Sequence, residues 1–313
     1  MFVTKLKNAI ISSFKPSIKT VIWLMKLMLP ITLAVSILDF MGVIKIVSKF
    51  MEPLFTLMGL TGEAAIVFIT SSFASIYAAI GVMAGLGFTL REVTILATMC
   101  LICHNLIIET KIQNKAGSSW FYILFIRIFF GLLSGYLLNI IIPADLTGTL
   151  HMPAMAAKPS DWVEVFTIWA KTIIPLTGKV LVFVILLNIL QGILKEFKLI
   201  DKLMIPLKPI MAFMGLRHST TFLWIIANTL GLAYGGMVIS SELEKGEISL
   251  KDAHLLNTSI AINHSMLEDA LLFIALGISV GWVIIPRIVI AILLTWAERL
   301  YNWYKTPKSI CTT

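Results

Sequence analysis

Charge is scarce in this chain. Only 13% of its 313 residues are Asp, Glu, Lys or Arg, where a soluble domain carries about 25%. That scarcity excludes a soluble two-domain enzyme. Cysteine is scarcer still, limited to Cys100, Cys103 and Cys311, which excludes a secreted disulfide scaffold. A nucleotide-binding loop, a zincin histidine pair and a nucleophile elbow are also missing, and with them the common soluble chemistries. Hydrocarbon takes their place. The chain is 58% hydrophobic, with a mean hydropathy of +0.93, enough for about eight spans of roughly 20 residues each. It reads as a polytopic, all-α integral membrane protein.

The net charge of +8 points to the bilayer rather than to nucleic acid. Lys and Arg lie mostly between apolar runs and near the two ends, as the cytoplasmic loops of membrane proteins require. The apolar stretch that begins near Val21 is too long for a signal peptide and lacks a small-residue cleavage site, so it reads as a retained first helix.

Apolar runs fall at 20–40, 64–86, 93–108, 119–142, 165–194, 219–240, 253–280 and 279–297. Two weaker segments, 43–58 and 199–214, mix Lys with apolar residues around Pro53 and Pro209 and read as amphipathic interfacial helices. The long polar connection 143–164 divides the chain nearly in half. The expected organisation is a cytoplasmic segment 1–19, a first repeat 20–142, an extracytoplasmic linker 143–164, a second repeat 165–303 and a cytoplasmic tail 304–313.

The halves are related in sequence. TLREVTILATMCLICHN at 89–105 is answered by SLKDAHLLNTSIAINHS at 249–265, so that His104 recurs as His264, 160 residues on. Arg127-Ile128 recurs as Arg287-Ile288, and Met58-Gly59-Leu60 as Met214-Gly215-Leu216. Charge sets their orientation. If the 93–108 and 253–268 runs are re-entrant, each half crosses three times and the second is inverted. Apart from charges within the spans, only Lys45, Lys49, Lys158, Lys245 and Lys251 then face outward, as the positive-inside rule favours. Both termini and the 195–217 loop are expected in the cytoplasm. Inverted repeats meeting at broken helices are a transporter architecture.

Each re-entrant segment opens with a capping signature, Thr89…Glu92 or Ser249…Asp252. Each ends in a polar break, His104-Asn105 or Asn263-His264. Intramembrane ionisable residues usually face a cavity or one another, so His104, Asn105, Asn263, His264 and Glu268 are the candidate binding residues. Ser72 and Asn228, equivalent positions on two small-residue helices, are expected to line the same cavity. Glu268 lies one turn beyond His264 and shares its face if the segment is helical there. Glu109 and Asp269 are expected to pair with Arg127 and Arg287 as structural ion pairs. Proton relay, metal ligation and simple ties from the histidines to backbone carbonyls all stay open. Cys100-x-x-Cys103-His104 has the spacing of a haem attachment site, but it sits in an apolar span and Ile260 and Asn263 replace the cysteines in the second half. No cofactor is expected.

Two inverted halves, each with a small-residue helix before a capped segment that ends in ICHNLIIET or INHSMLEDALLF, resemble the Gate or nucleoside-recognition domain. That domain occurs in spore-maturation A and B proteins, in concentrative nucleoside transporters and in the membrane part of FeoB-type iron transporters. The resemblance covers roughly 20–140 and 165–300. It implies about three transmembrane helices, one re-entrant or broken helix and one interfacial helix per half. The implied function is a secondary transporter of the bacterial inner membrane for a polar solute, nucleoside-like or a divalent cation, and not an enzyme. The alternatives are a non-transporting membrane partner and an intramembrane metal-dependent enzyme. Expected partners are the lipid bilayer and a small solute or ion, with a homo-oligomer left open.

Overall fold

The computed structural model describes residues 2–146, 148, 150 and 159–305. The expected tail from 306 on, with Lys308 and Cys311, and linker residues 151–158, with Pro153 and Lys158, lie outside the described residues. All regular structure among the described residues is helical. A chain surrounded by lipid must satisfy its backbone within each segment, and a helix does so.

In chain order the α-helices are α1 (Phe2–Phe40), α2 (Val43–Phe55), α3 (Ala64–Phe73), α4 (Ile76–Leu86), α5 (Leu90–Cys103), α6 (Leu106–Lys115) and α7 (Trp120–Ile141). They continue as α8 (Trp162–Glu196), α9 (Leu199–Phe213), α10 (Thr221–Thr229), α11 (Leu232–Glu244), α12 (Leu250–Asn263), α13 (Met266–Ala275) and α14 (Val280–Lys305). Single 3-10 turns follow α2 and precede α10. Five stretches are long and apolar enough to cross a membrane: α1, α5 with α6, α7, α8 and α14. The residues 2–19 expected as a separate segment are continuous with the first span, and α14 runs past 303 to Lys305.

The long helices α1 and α8 pack along each other, with α4 against both. Their exposed side chains, and those of α7 and α14, are large and apolar; Trp23, Phe121, Phe125 and Leu293 are examples. Such a surface suits hydrocarbon rather than water. On α2, Phe50 and Ile46 are exposed beside Lys45 and Lys49, as an interfacial helix requires.

At the centre lie α5 and α12, buried from Val93 to Cys103 and almost throughout from Asp252 to Asn263. Thr89 and Glu92 form the full capping box at the start of α5. The second cap is half of one. Ser249 accepts from the Asp252 N–H, but the Asp252 carboxylate takes the Ser249 hydroxyl at 2.7 Å and Arg217 at 3.2 Å.

Both central helices end alike. His104 and His264 are extended, and the next residue is left-handed, Asn105 at φ 46° and Ser265 at φ 52°. That conformation is uncommon for residues other than glycine. It is held here by neighbours: the Asn105 N–H donates to Ser71 O at 3.0 Å and the Ser265 N–H to Ala227 O at 3.1 Å.

Those carbonyls belong to two further interrupted helices, which corrects the expectation of one broken helix per half. The 64–86 run stops at Phe73 and restarts at Ile76, where Ser75 is the N-cap and accepts from the Ala78 N–H. The 219–240 run breaks at Leu230 and Gly231, the latter at φ 82° and ψ 163°, a conformation that side chains oppose. Each half therefore carries two breaks.

The match between halves extends to individual bonds. Arg127 donates from Nε to Ile102 O at 2.8 Å and from Nη2 to His104 O at 2.7 Å; Arg287 does the same to Ile262 O at 3.0 Å and His264 O at 2.5 Å. The Thr98 hydroxyl bonds Trp282 O at 3.1 Å across to α14, and Thr258 bonds the Tyr122 hydroxyl at 3.3 Å across to α7.

Candidate functional site

The ends of α5 and α12 bring two histidines face to face. His104 Nε2 and His264 Nε2 are 3.4 Å apart, with ring centroids 4.9 Å apart. Each ring is fixed from behind, because His104 Nδ1 lies 3.0 Å from Leu101 O and His264 Nδ1 lies 2.7 Å from Ile260 O. A carbonyl only accepts, so both Nδ1 atoms carry hydrogen. When the rings are neutral, both Nε2 lone pairs point into the space between the helices. The expected tie to backbone carbonyls and an inward-facing nitrogen thus coexist on each ring.

Two carboxylates close on this pair. Glu109, in the first turn of α6, places Oε1 3.3 Å from His104 Nε2 and Oε2 3.1 Å from His264 Nε2. Its position follows from the left-handed turn at Asn105, which redirects the chain so that the start of α6 faces the ring of the preceding helix. Asp269, on α13, places Oδ2 3.7 Å from His104 Nε2. All four residues are buried. One ligand atom each from His104, Glu109 and His264 lie within 4.8 Å of one another, so these three groups could hold a metal ion.

The two expected ion pairs fare differently. Arg127 Nη2 meets Glu109 Oε2 at 2.7 Å. No such contact joins Arg287 to Asp269: Asp269 Oδ2 has no hydrogen-bond partner among the described residues, and neither does Arg287 Nη1. The turns at Asn105 and Ser265 are alike, and the Asp side chain is one methylene shorter; its Oδ2 faces His104 instead. Glu268 is also corrected. Because the helix is interrupted at Ser265, it does not share a turn with His264; it accepts from the Tyr77 hydroxyl at 2.8 Å and from Gln191 Nε2 at 3.3 Å. Gln191 lines a polar cleft of about 630 Å³ between α1 and α8, with Ser13, Asn188 and Lys195 on its walls.

Ser72 and Asn228 are turned to their own helices, through Phe68 O at 2.8 Å and Trp224 O at 3.0 Å. Their preceding residues, Ser71 and Ala227, are the ones that contact the breaks, and through the backbone. Asn105 contributes its backbone and its left-handed turn, with no side-chain cap. Asn263 is fully buried and neither side-chain atom has a partner among the described residues; Asn228 Oδ1 is likewise unpartnered. Cys103 donates to Arg127 O at 3.0 Å and both central cysteines are buried and free, so haem attachment has no surface to use.

Sequence reading missed Tyr77 and Gln191. Gln191 had a signal, since Asn188 and Gln191 lie one turn apart in an otherwise apolar run, and polar side chains inside a span seek partners. Tyr77 had only the isolation of a single phenol among small residues.

No family model matches the chain, and no solved structure matches it. A relative does match along essentially its whole length, 30% identical over 312 residues, covering 97% of this chain and 98% of the relative. With its long apolar helices, the chain is a multi-pass helical membrane protein and belongs to the family of the uncharacterized membrane protein YvoD of Bacillus subtilis (strain 168).

Proposed function

We propose that the chain is a secondary transporter or permease of the bacterial inner membrane for a small polar solute or ion, built from two inverted Gate-like repeats with both termini cytoplasmic. One observation carries the reading: His104 and His264, equivalent residues of the two halves, meet head to head at the breaks of interrupted helices. In inverted-repeat transporters the substrate site lies where discontinuous helices of the two repeats meet, because broken ends free polar groups at membrane depth. The exchanged bonds Thr98–Trp282 and Thr258–Tyr122 support a pseudo-twofold relation between halves. Unpartnered buried atoms of Asn263, Asn228 and Asp269 suit a site that a solute completes, since buried polar groups otherwise find partners. Gln191, on the wall of the polar cleft, donates to Glu268, the sequence neighbour of Asp269.

A metal-dependent enzyme also needs three ligands about one point, and the cluster supplies them. Transport is the better reading because four helices are interrupted around the cluster, where an enzyme needs only a fixed site. The test is uptake in proteoliposomes, with uridine, adenosine, Zn²⁺ and Mn²⁺ as the probes. Wild-type protein is expected to accumulate at least one of them, and His104→Ala with His264→Ala to abolish that uptake while the protein elutes and melts as a folded species. Undiminished uptake by the double variant would remove the site from transport.

A further inference from the structure

We infer that His104, His264, Glu109 and Asp269 bind one divalent first-row transition-metal ion. Its role as cargo rests on the transporter reading; its binding does not.

The argument begins with distances. A four-coordinate ion holds imidazole nitrogen at about 2.0–2.1 Å, so neighbouring donors of a tetrahedron lie about 3.3–3.4 Å apart. The edges of the cluster are 3.4 Å from His104 Nε2 to His264 Nε2, 3.3 Å from His104 Nε2 to Glu109 Oε1 and 3.1 Å from His264 Nε2 to Glu109 Oε2, the last two made by the two oxygens of one carboxylate. Direct hydrogen bonds are shorter, about 2.7–3.2 Å for nitrogen donors, so the widest edge is poorly filled by a shared proton. Asp269 Oδ2, at 3.7 Å from His104 Nε2, is buried and has no hydrogen-bond partner among the described residues. A buried carboxylate oxygen without a partner is costly, and a cation at the cluster supplies the missing one.

The surroundings are those of a ligand shell. Metal-binding histidines commonly donate their second N–H to a backbone carbonyl, which fixes ring and tautomer; Leu101 O and Ile260 O do so here. Arg127 holds one Glu109 oxygen at 2.7 Å, and the two buried arginines fasten both histidine carbonyls. Donor chemistry selects the ion. Two imidazoles exclude Mg²⁺ and Ca²⁺, which take oxygen donors. Among the described residues no thiolate joins the cluster, since Cys103 is turned to Arg127 O, and this disfavours Cu(I). Two nitrogens with two carboxylates suit Zn²⁺, Co²⁺, Fe²⁺ or Mn²⁺.

The experiment uses full-length protein in detergent, stripped with a chelator and titrated with Co²⁺ and Zn²⁺ by calorimetry and visible absorption. One ion per chain is expected, with the intense d–d bands of four-coordinate Co²⁺. His264→Ala is expected to weaken binding by about 100-fold or more, because even outer-shell partners are worth about 10–100-fold. Asp269→Asn, which keeps shape and removes charge, should weaken it by at least about tenfold while the variant still unfolds in one cooperative transition in the absence of metal. No Co²⁺ bound, equal binding by the His104→Ala, His264→Ala double variant, or displacement of Co²⁺ by equimolar Mg²⁺ would each overturn the inference; a cluster that holds only protons gives the first result. Vesicle flux separates the two readings. Metal bound in detergent without flux keeps the site and sinks the cargo role, whereas uptake of a nucleoside by protein that binds no metal keeps transport and sinks the metal.

Discussion

Arg127 and Arg287 are sequence equivalents, both fully buried, and each donates to two backbone carbonyls in the same pattern. They differ in one bond. Arg127 also meets a carboxylate at 2.7 Å, and Arg287 does not. Arg127→Met removes the guanidinium partner of the Glu109 carboxylate, and breaking a buried pair costs about 3–5 kcal/mol. The contrast between the two positions is more informative than either loss. In a double-mutant cycle, Glu109→Gln with Arg127→Met isolates the pair, and the carbonyl bonds cancel. The same cycle on Asp269→Asn with Arg287→Met retains only through-space attraction. The two coupling energies should therefore differ by one hydrogen bond between charged groups, about 1.5–3 kcal/mol in favour of Arg127–Glu109. Reversible unfolding of purified protein in mixed micelles, read by circular dichroism, measures all seven species. Equal couplings would refute the reasoning, because they would mean that Asp269 neutralises Arg287 as strongly as Glu109 does Arg127.

Three further outcomes follow from local geometry. A methyl group at Gly235 would sit 2.7 Å from the Ala227 Cα, so Gly235→Ala should lower stability by about 1–3 kcal/mol, whereas Gly85→Ala, with nothing within 4 Å, should be neutral or slightly stabilising; melting curves compare them. Thr89→Val removes the cap on α5 and should cost about 1 kcal/mol, visible in the same assay. For topology, Lys245→Cys is expected to react with an impermeant maleimide on intact cells and Ile205→Cys to stay protected until the membrane is opened; the reverse pattern contradicts the inverted arrangement.

Much of the frame was legible because it is written locally. The hydroxyl and acid of Thr89 and Glu92 are three residues apart, so the start of α5 needed no knowledge of the rest of the chain, and the polar pair His104-Asn105 marked its end. The breaks at Ala74 and Leu230 were not legible. Both lie inside largely apolar runs, and what interrupts the helix is a serine cap in one case and a glycine at positive φ in the other, residues that are each common in unbroken membrane helices. The partner of Asp269 was hidden for another reason. Sequence equivalence with Glu109 fixes the position of its Cα, but whether the side chain also reaches the arginine depends on its length, and Asp is one methylene shorter. Tyr77 and Glu268 are 191 residues apart, and no periodicity connects them.

The two halves divide the cluster evenly: His104 and Glu109 come from one, His264 and Asp269 from the other. Whatever settles there fastens one half to the other. Its affinity depends on their register, since a slip of an ångström along the facing helix ends would part the imidazoles and leave each half with one ring and one acid. Occupancy and relative position are then thermodynamically linked, and a ligand that prefers the gathered arrangement raises its population by the ratio of its affinities for the two.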